Sequence, residues 1–172
     1  MKTTRFLMMA IAGCFAFISC NSDDDSNNTN ASLVGTYQMT EWNSPTATDF
    51  NGDGVASTNL MLETNCYNNS KLTLNGDGTY SKIYNAMGIS GVSTSCEASQ
   101  SSSGTWTRNG NTITTSSTVD GDVNYSFTAA SGTSGATLNR TMTNIQYPVM
   151  NGLNAEWATG NVTTVYARQT VN

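Results

Sequence analysis

The fold class of this chain is decided by one stretch of sequence, Gly104-Thr105-Trp106-Thr107-Arg108-Asn109-Gly110-Asn111-Thr112-Ile113-Thr114-Thr115. Two threonine-rich runs flank Asn109-Gly110, and Asn-Gly favours a two-residue hairpin turn because both positions need a positive φ. Residues 71–74 and 79–84 flank Asn75-Gly76-Asp77-Gly78 in the same way. Both stretches therefore predict antiparallel β-hairpins.

Further strands follow from alternation of apolar and polar residues. Together with the hairpins they give eight strands, at residues 35–42, 71–74, 79–84, 104–108, 111–115, 122–127, 135–142 and 161–168. We expect an all-β fold, an antiparallel eight-stranded meander closed into a barrel, since closure removes exposed strand edges. The first and last of these strands should pair. Residues 59–65 fit a helical turn, and Pro148 and Gly152 interrupt any pattern within residues 145–158.

The composition argues against catalysis and against a nucleic-acid partner. The chain has 172 residues, no histidine and a net charge of −5. Without histidine, the Ser–His–Asp and Cys–His pairs and the usual general base are missing. No pair of carboxylates is placed to mark a glycosidase, and Lys82 is expected to be solvated. The acidic balance and the lack of a basic run argue against nucleic-acid binding.

The N-terminus reads as an export signal. Lys2 and Arg5 precede an apolar stretch, residues 6–19, that is shorter than the roughly 20 residues of a membrane span. Cys20 follows, and the chain then turns polar. This arrangement resembles a bacterial lipoprotein signal, in which that cysteine is lipidated after cleavage. The resemblance implies a signal peptide at 1–19, a lipidated disordered tether at 20–32, and one barrel domain at 33–172.

Two alternatives to lipidation at Cys20 remain. Ile11-Ala12-Gly13-Cys14 matches the lipoprotein cleavage pattern more closely. However, cleavage before Cys14 would leave the apolar residues 15–18 at the mature N-terminus. An ordinary cleaved signal followed by a free cysteine is the other alternative.

An acidic run, Asp23-Asp24-Asp25, follows Cys20. It fits a solvated linker. It is also similar to the export tag that lipoproteins of the Bacteroidota carry after the lipidated cysteine. That resemblance implies an outer-membrane lipoprotein exposed on the cell surface, with the periplasmic face as the alternative.

Four motifs in order resemble those of lipocalin-like lipoprotein domains. Residues 33–37 (Leu-Val-Gly-Thr-Tyr) resemble the opening L-x-G-x-W strand, with Tyr37 in place of the tryptophan. Residues 74–80 resemble the F-x-x-D-G-T-Y hairpin, residues 104–113 the G-x-W-x-x-x-G-N-x-I hairpin, and residues 162–166 the closing strand. The resemblance implies a lipocalin-like barrel over about 33–170. Its barrel-capping arginine would be Arg140 or Arg168.

Two further sites follow from residue types. Cys66 and Cys96 are an even pair in an exported chain, which predicts a disulfide. A catalytic thiol would need a base, and the chain has no histidine.

A calcium loop is the second site. Residues 49–54 carry D-x-N-x-D-G, the first half of an EF-hand-type loop, with oxygen ligands from Asp49, Asn51, Asp53 and the carbonyl of Val55. Leu60 stands at the twelfth position, where glutamate is expected, and Glu63 could fold back to replace it. The alternative is a glycine- and asparagine-rich turn without metal.

Aromatic side chains lie on most predicted strands. An eight-stranded barrel can fill its interior with such rings or hold one small ligand, and the sequence assigns no ligand-binding residue. We therefore expect a non-catalytic, lipid-anchored envelope protein that binds a small hydrophobic ligand. The alternative is a surface lipoprotein with a filled barrel, whose polar loops, notably 86–103, meet envelope proteins or glycans.

Overall fold

The computed structural model describes residues 33–131 and 135–170. It contains a 3-10 turn (Leu60–Leu62), within the predicted helical stretch, and eleven strands. The strands are β1 (Gly35–Thr48), β2 (Ser57–Asn59), β3 (Lys71–Leu74), β4 (Thr79–Tyr84), β5 (Met87–Ser90), β6 (Ser93–Cys96), β7 (Gln100–Asn109), β8 (Thr112–Ser117), β9 (Gly121–Thr128), β10 (Thr137–Asn151) and β11 (Asn154–Arg168). No helix within these ranges has the length and apolar character needed to cross a membrane.

Eight of these strands form a closed antiparallel barrel in the order β1-β3-β4-β7-β8-β9-β10-β11. Pairing between β1 and β11 closes it, with Tyr37 opposite Arg168 and Asn43 opposite Thr163. This confirms the expected all-β barrel and its closing strand pair. Both hairpins read from the sequence are present, between β3 and β4 and between β7 and β8.

One end of the barrel, which we call the closed end, is sealed by its own side chains. Leu33 is fully buried there and its carbonyl accepts a hydrogen bond from the Tyr37 hydroxyl at 2.8 Å. Trp106 Nε1 donates to the carbonyl of Asn75 at 2.9 Å. Arg168 Nη2 donates to the Val34 carbonyl at 2.6 Å. Arg168 is therefore the arginine at the closed end, and Arg140 is not.

The opposite end, the open end, carries the β5–β6 hairpin. The expected loop over 86–103 contains β5, β6 and the start of β7. Its expected exposure is confirmed for residues 90–101. The disulfide between Cys66 and Cys96, with Cα atoms 5.0 Å apart, ties the hairpin to the segment before β3. The Ala155 amide also donates to the Val92 carbonyl at the hairpin turn. The hairpin is thus fixed at its base and at its tip.

Residues 145–158, in which Pro148 and Gly152 interrupt the alternation of apolar and polar residues, form the outer part of the β10–β11 hairpin. Pro148 lies opposite Trp157, and Gly152 lies in the turn with a φ of 62°. Beyond Asn139, β10 no longer pairs with β9, so one of its edges is unpaired there. A proline without an amide hydrogen is tolerated on such an edge, which is why the strand continues through Pro148.

Candidate functional site

A cavity of about 220 Å³ lies inside the barrel at its open end. Side chains from four barrel strands and from the β8–β9 turn line it, because inward-facing positions recur at every second residue of a strand. The lining residues are Lys82, Tyr84, Gln100, Ser101, Ser102, Val119, Asp120, Arg140, Met142, Thr164 and Tyr166. The cavity is therefore a mixed polar and apolar space.

An ion pair lies in the wall of this cavity. Lys82 Nζ is 2.5 Å from Asp120 Oδ2, and the Lys82 side chain is only 11% exposed. Ser102 Oγ donates to the same carboxylate oxygen at 2.5 Å. Burial opposes ionisation of Asp120, but the hydrogen bonds from Lys82 and Ser102 outweigh it and hold the pKa of Asp120 below its usual value. The expectation that Lys82 is solvated is therefore wrong.

Arg140 and Thr164 line the cavity as a cross-strand pair. They lie directly opposite each other on β10 and β11, which places their Cβ atoms about 5 Å apart. Thr164 is 2% exposed, and its Oγ1 has no hydrogen-bond partner in the described part of the chain. Arg140 is half-buried and forms no hydrogen bond or ion pair with the described residues.

The remaining wall of the cavity is more apolar. Tyr84, Met142 and Tyr166 contribute their side chains, and Tyr84 is held in place because its hydroxyl accepts a hydrogen bond from Trp42 Nε1 at 3.2 Å. Burial raises the pKa of the Tyr84 hydroxyl and raises that of Tyr166 well above its ordinary value. Both rings are therefore neutral at physiological pH.

The aromatic side chains on the strands have two different roles: some fill the core of the barrel and others line the cavity. Five of them are core residues that do not line the cavity, namely Tyr37, Tyr80, Trp106, Tyr125 and Phe127. Tyr84 and Tyr166 face the cavity. Ring packing therefore fills the barrel towards the closed end and leaves space at the open end.

The polar lining was missed by the sequence reasoning, although the sequence contains a signal for it. Lys82 stands two residues from both Tyr80 and Tyr84, and Arg140 stands two residues from Leu138 and Met142. Charged side chains at the same parity as a strand's apolar residues face the barrel interior. Thr164 gave no such signal, because threonine is common on both faces of a strand.

The predicted calcium loop forms a turn held by its own hydrogen bonds. The two carboxylate oxygens of Asp49 accept from the amides of Gly52 at 2.7 Å and Gly54 at 2.9 Å. Asn51 and Asp53 each accept from the amide two residues later. Hydrogen bonds of this kind, from backbone amides to nearby Asp and Asn side chains, are typical of a tight turn.

The residues that would complete a calcium site fit it poorly. Leu60, at the twelfth position, is buried in the core. Glu63 does fold back, but its Oε2 accepts a hydrogen bond from the Phe50 amide at 3.1 Å. Within the described ranges no three His, Cys, Asp or Glu side chains are grouped to hold a metal. Calcium binding by Asp49, Asn51, Asp53 and the Val55 carbonyl stays a prediction.

Of the cysteine predictions, the structure describes only the residues of the disulfide. The Cys66–Cys96 disulfide is confirmed. Cys14, Cys20 and the acidic run at 23–25 lie outside the described residues.

The comparison with protein families agrees with the barrel. Residues 33–140 match the lipocalin-like domain family, which covers the chain from before β1 into β10. No curated protein and no solved structure matches the chain. The match spans more than half of the sequence, and the remaining strands complete the closed eight-stranded barrel. The chain therefore belongs to the family of lipocalin-like domains.

Proposed function

We propose that this protein binds a small, largely apolar molecule in the open-end cavity and catalyses no reaction on it. The observation that carries the proposal is the space of about 220 Å³ that the barrel leaves beside Tyr84, Met142 and Tyr166. A barrel built only as a scaffold gains by filling its interior, because unfilled space forfeits packing contacts. This cavity is smaller than the ~300–1,000 Å³ typical of ligand pockets, which favours a small ligand.

A binding role fits the chemistry of the lining better than catalysis. The one carboxylate in the lining, Asp120, is paired with Lys82. Because its pKa lies below the usual value, Asp120 is a weak base at neutral pH. The chain has no histidine to take that role.

The proposal includes a lipid anchor in the cell envelope. It rests on the lipoprotein-like signal that ends at Cys20 and on the acidic run after it. More than one acyl chain is needed for stable anchoring. We expect Cys20→Ala to block lipid labelling and to release the protein from the membrane fraction, whereas Cys14→Ala should not. The reverse result would move the anchor to Cys14. Protease accessibility on intact cells tests the surface location against the periplasmic face.

A small fluorescent apolar probe, sized to the cavity of about 220 Å³, tests ligand binding. We expect at least micromolar affinity, about −8 kcal/mol. Thr164→Phe should fill the cavity and abolish probe binding. Its matched control is Thr163→Phe, since Thr163 is the exposed neighbour on the same strand and should leave binding unchanged. Equal binding by both variants would place the probe elsewhere.

One observation favours the second candidate, a structural or interaction lipoprotein. The β10–β11 hairpin extends past the barrel, with Leu153 92% exposed at its turn and Trp157 43% exposed. Exposed apolar side chains at the end of a hairpin are suited to contact another envelope component. If the barrel binds no probe and Leu153→Ser weakens association with a cross-linked envelope partner, this candidate replaces the first.

A further inference from the structure

We propose that Arg140 and Thr164 form a subsite for the anionic head of the ligand, so that the cavity selects a small monocarboxylate with a short apolar body. This proposal rests on the proposed ligand-binding function and names the chemistry that the cavity would recognise.

The first support is the charge balance of the lining. The charged residues there are Lys82, Asp120 and Arg140, which leave one positive charge in excess. Lys82 and Ser102 both bind Oδ2 of Asp120, and therefore that carboxylate is already neutralised by a direct partner. Arg140 interacts electrostatically with Asp120 but forms no hydrogen bond or ion pair within the described part of the chain, and a half-buried guanidinium of this kind gains strongly from an anion.

The second support is independent of charge. Thr164 Oγ1 is buried in the cavity wall without a hydrogen-bond partner in the described chain. A buried hydroxyl without a partner costs free energy. Because Arg140 and Thr164 are direct cross-strand neighbours, a rotation of the buried Thr164 side chain would bring its hydroxyl to a carboxylate bound at the guanidinium.

The apolar part of the ligand has its own surface. Tyr84, Met142 and Tyr166 lie in the same cavity, and the two tyrosines stay neutral because burial raises their pKa. Neither ring carries a negative charge that would repel the carboxylate of the ligand. Both rings present apolar surface to its chain. The small volume limits the body to a short chain.

Calorimetric titration of the full chain with three matched eight-carbon probes tests the proposal. Octanoate carries the anion, octanamide is its neutral isostere, and octylammonium carries the opposite charge. We expect octanoate to bind about tenfold or more tightly than octanamide, as expected for a charge-assisted hydrogen bond, and octylammonium to bind no better than octanamide. Equal affinity for octanoate and octanamide would overturn the subsite and leave the ligand-binding function intact. Binding of none of the three would overturn both.

Two variants assign the effect to residues. Arg140→Gln should reduce octanoate affinity to that of octanamide without changing octanamide binding, and retained octanamide binding shows that the barrel is folded. Thr164→Val keeps the shape and should reduce octanoate affinity alone, by a smaller factor. Lys71→Gln removes an exposed positive charge on β3 and should change neither affinity. Loss of octanoate preference in Lys71→Gln, or its persistence in Arg140→Gln, would contradict the assignment.

Discussion

Lys82 and Asp120 form an ion pair that joins the middle of β4 to the turn between β8 and β9, with Nζ 2.5 Å from Oδ2. β4 and β8 are not neighbouring strands, since β7 lies between them. Ser102 on β7 donates to the same carboxylate oxygen. One carboxylate thus connects three consecutive parts of the barrel wall at the open end.

This connection predicts a pH-dependent contribution to stability. The pKa of Asp120 is lowered in the folded protein. The stabilisation is therefore present above the unfolded value of about 3.9 and is lost as pH falls through the folded pKa. Asp120→Asn should lower the free energy of unfolding at pH 7 by about 1 kcal/mol. Urea unfolding should show this difference shrinking as the pH falls below about 4. A difference that is constant with pH would contradict the account.

The disulfide should stabilise the protein by restricting the unfolded chain. Cys66 and Cys96 are 30 residues apart, and closing such a loop contributes about 3–4 kcal/mol by the chain-entropy estimate. The double variant Cys66→Ser/Cys96→Ser should lose about that much in denaturant unfolding. Reductant should lower the melting temperature of the wild type and leave the double variant unchanged. A wild type insensitive to reductant, with two alkylatable thiols, would show that the bond is not formed.

Gly104 is required by a close approach of backbones. A Cβ atom at this position would lie 2.0 Å from the carbonyl oxygen of Ser116 on β8. Because that oxygen belongs to the backbone, the strand itself would have to move to relieve the clash. Gly104→Ala should therefore destabilise the barrel by about 3 kcal/mol. Gly76→Ala is the matched control, because the nearest atom to its Cβ is a Val34 methyl at 3.9 Å. Equal melting temperatures of the two variants would refute the packing argument.

The calcium prediction has a direct thermal test. If Asp49, Asn51 and Asp53 bind calcium, millimolar calcium should raise the melting temperature, as for weak extracellular sites. Asp53→Ala should abolish the rise and leave binding of the small apolar probe intact. Asp77→Ala, in the acidic turn between β3 and β4, is the control and should keep the rise. No effect of calcium on the wild type would leave the loop as a turn.

The sequence was most informative where local rules act alone. Both hairpins formed as predicted. The turn between β7 and β8 is one residue later than Asn109-Gly110, because Asn109 pairs with Thr112 and only Gly110 has a positive φ. The Cys66–Cys96 bond followed from the even number of cysteines and from the expected export of the chain. The β10–β11 extension could not be predicted in this way, because Pro148 is tolerated only where the neighbouring strand has ended, and that is a tertiary fact.

The candidate site was harder to predict from the sequence, again because it depends on tertiary contacts. The parity of Lys82 and Arg140 indicates that they face inward, but it does not show that Lys82 meets Asp120, which lies 38 residues away along the chain. The volume of the cavity depends on how far the rings from eight strands interdigitate. Tyr84 and Tyr166 line the cavity while Tyr80 and Tyr125 are packed in the core, a division that alternation alone does not make.

The most direct test of the account follows the Met142 methyl group by NMR in protein labelled with [¹³C-methyl]methionine. Met142 lines the cavity, whereas Met150 lies on the outer part of β10 and does not. Titration with octanamide, which requires only the apolar cavity, should shift the Met142 resonance in a saturable manner and leave Met150 unchanged. A Met142 resonance that does not move at saturating probe, or that moves equally with Met150, would contradict ligand binding in the open-end cavity.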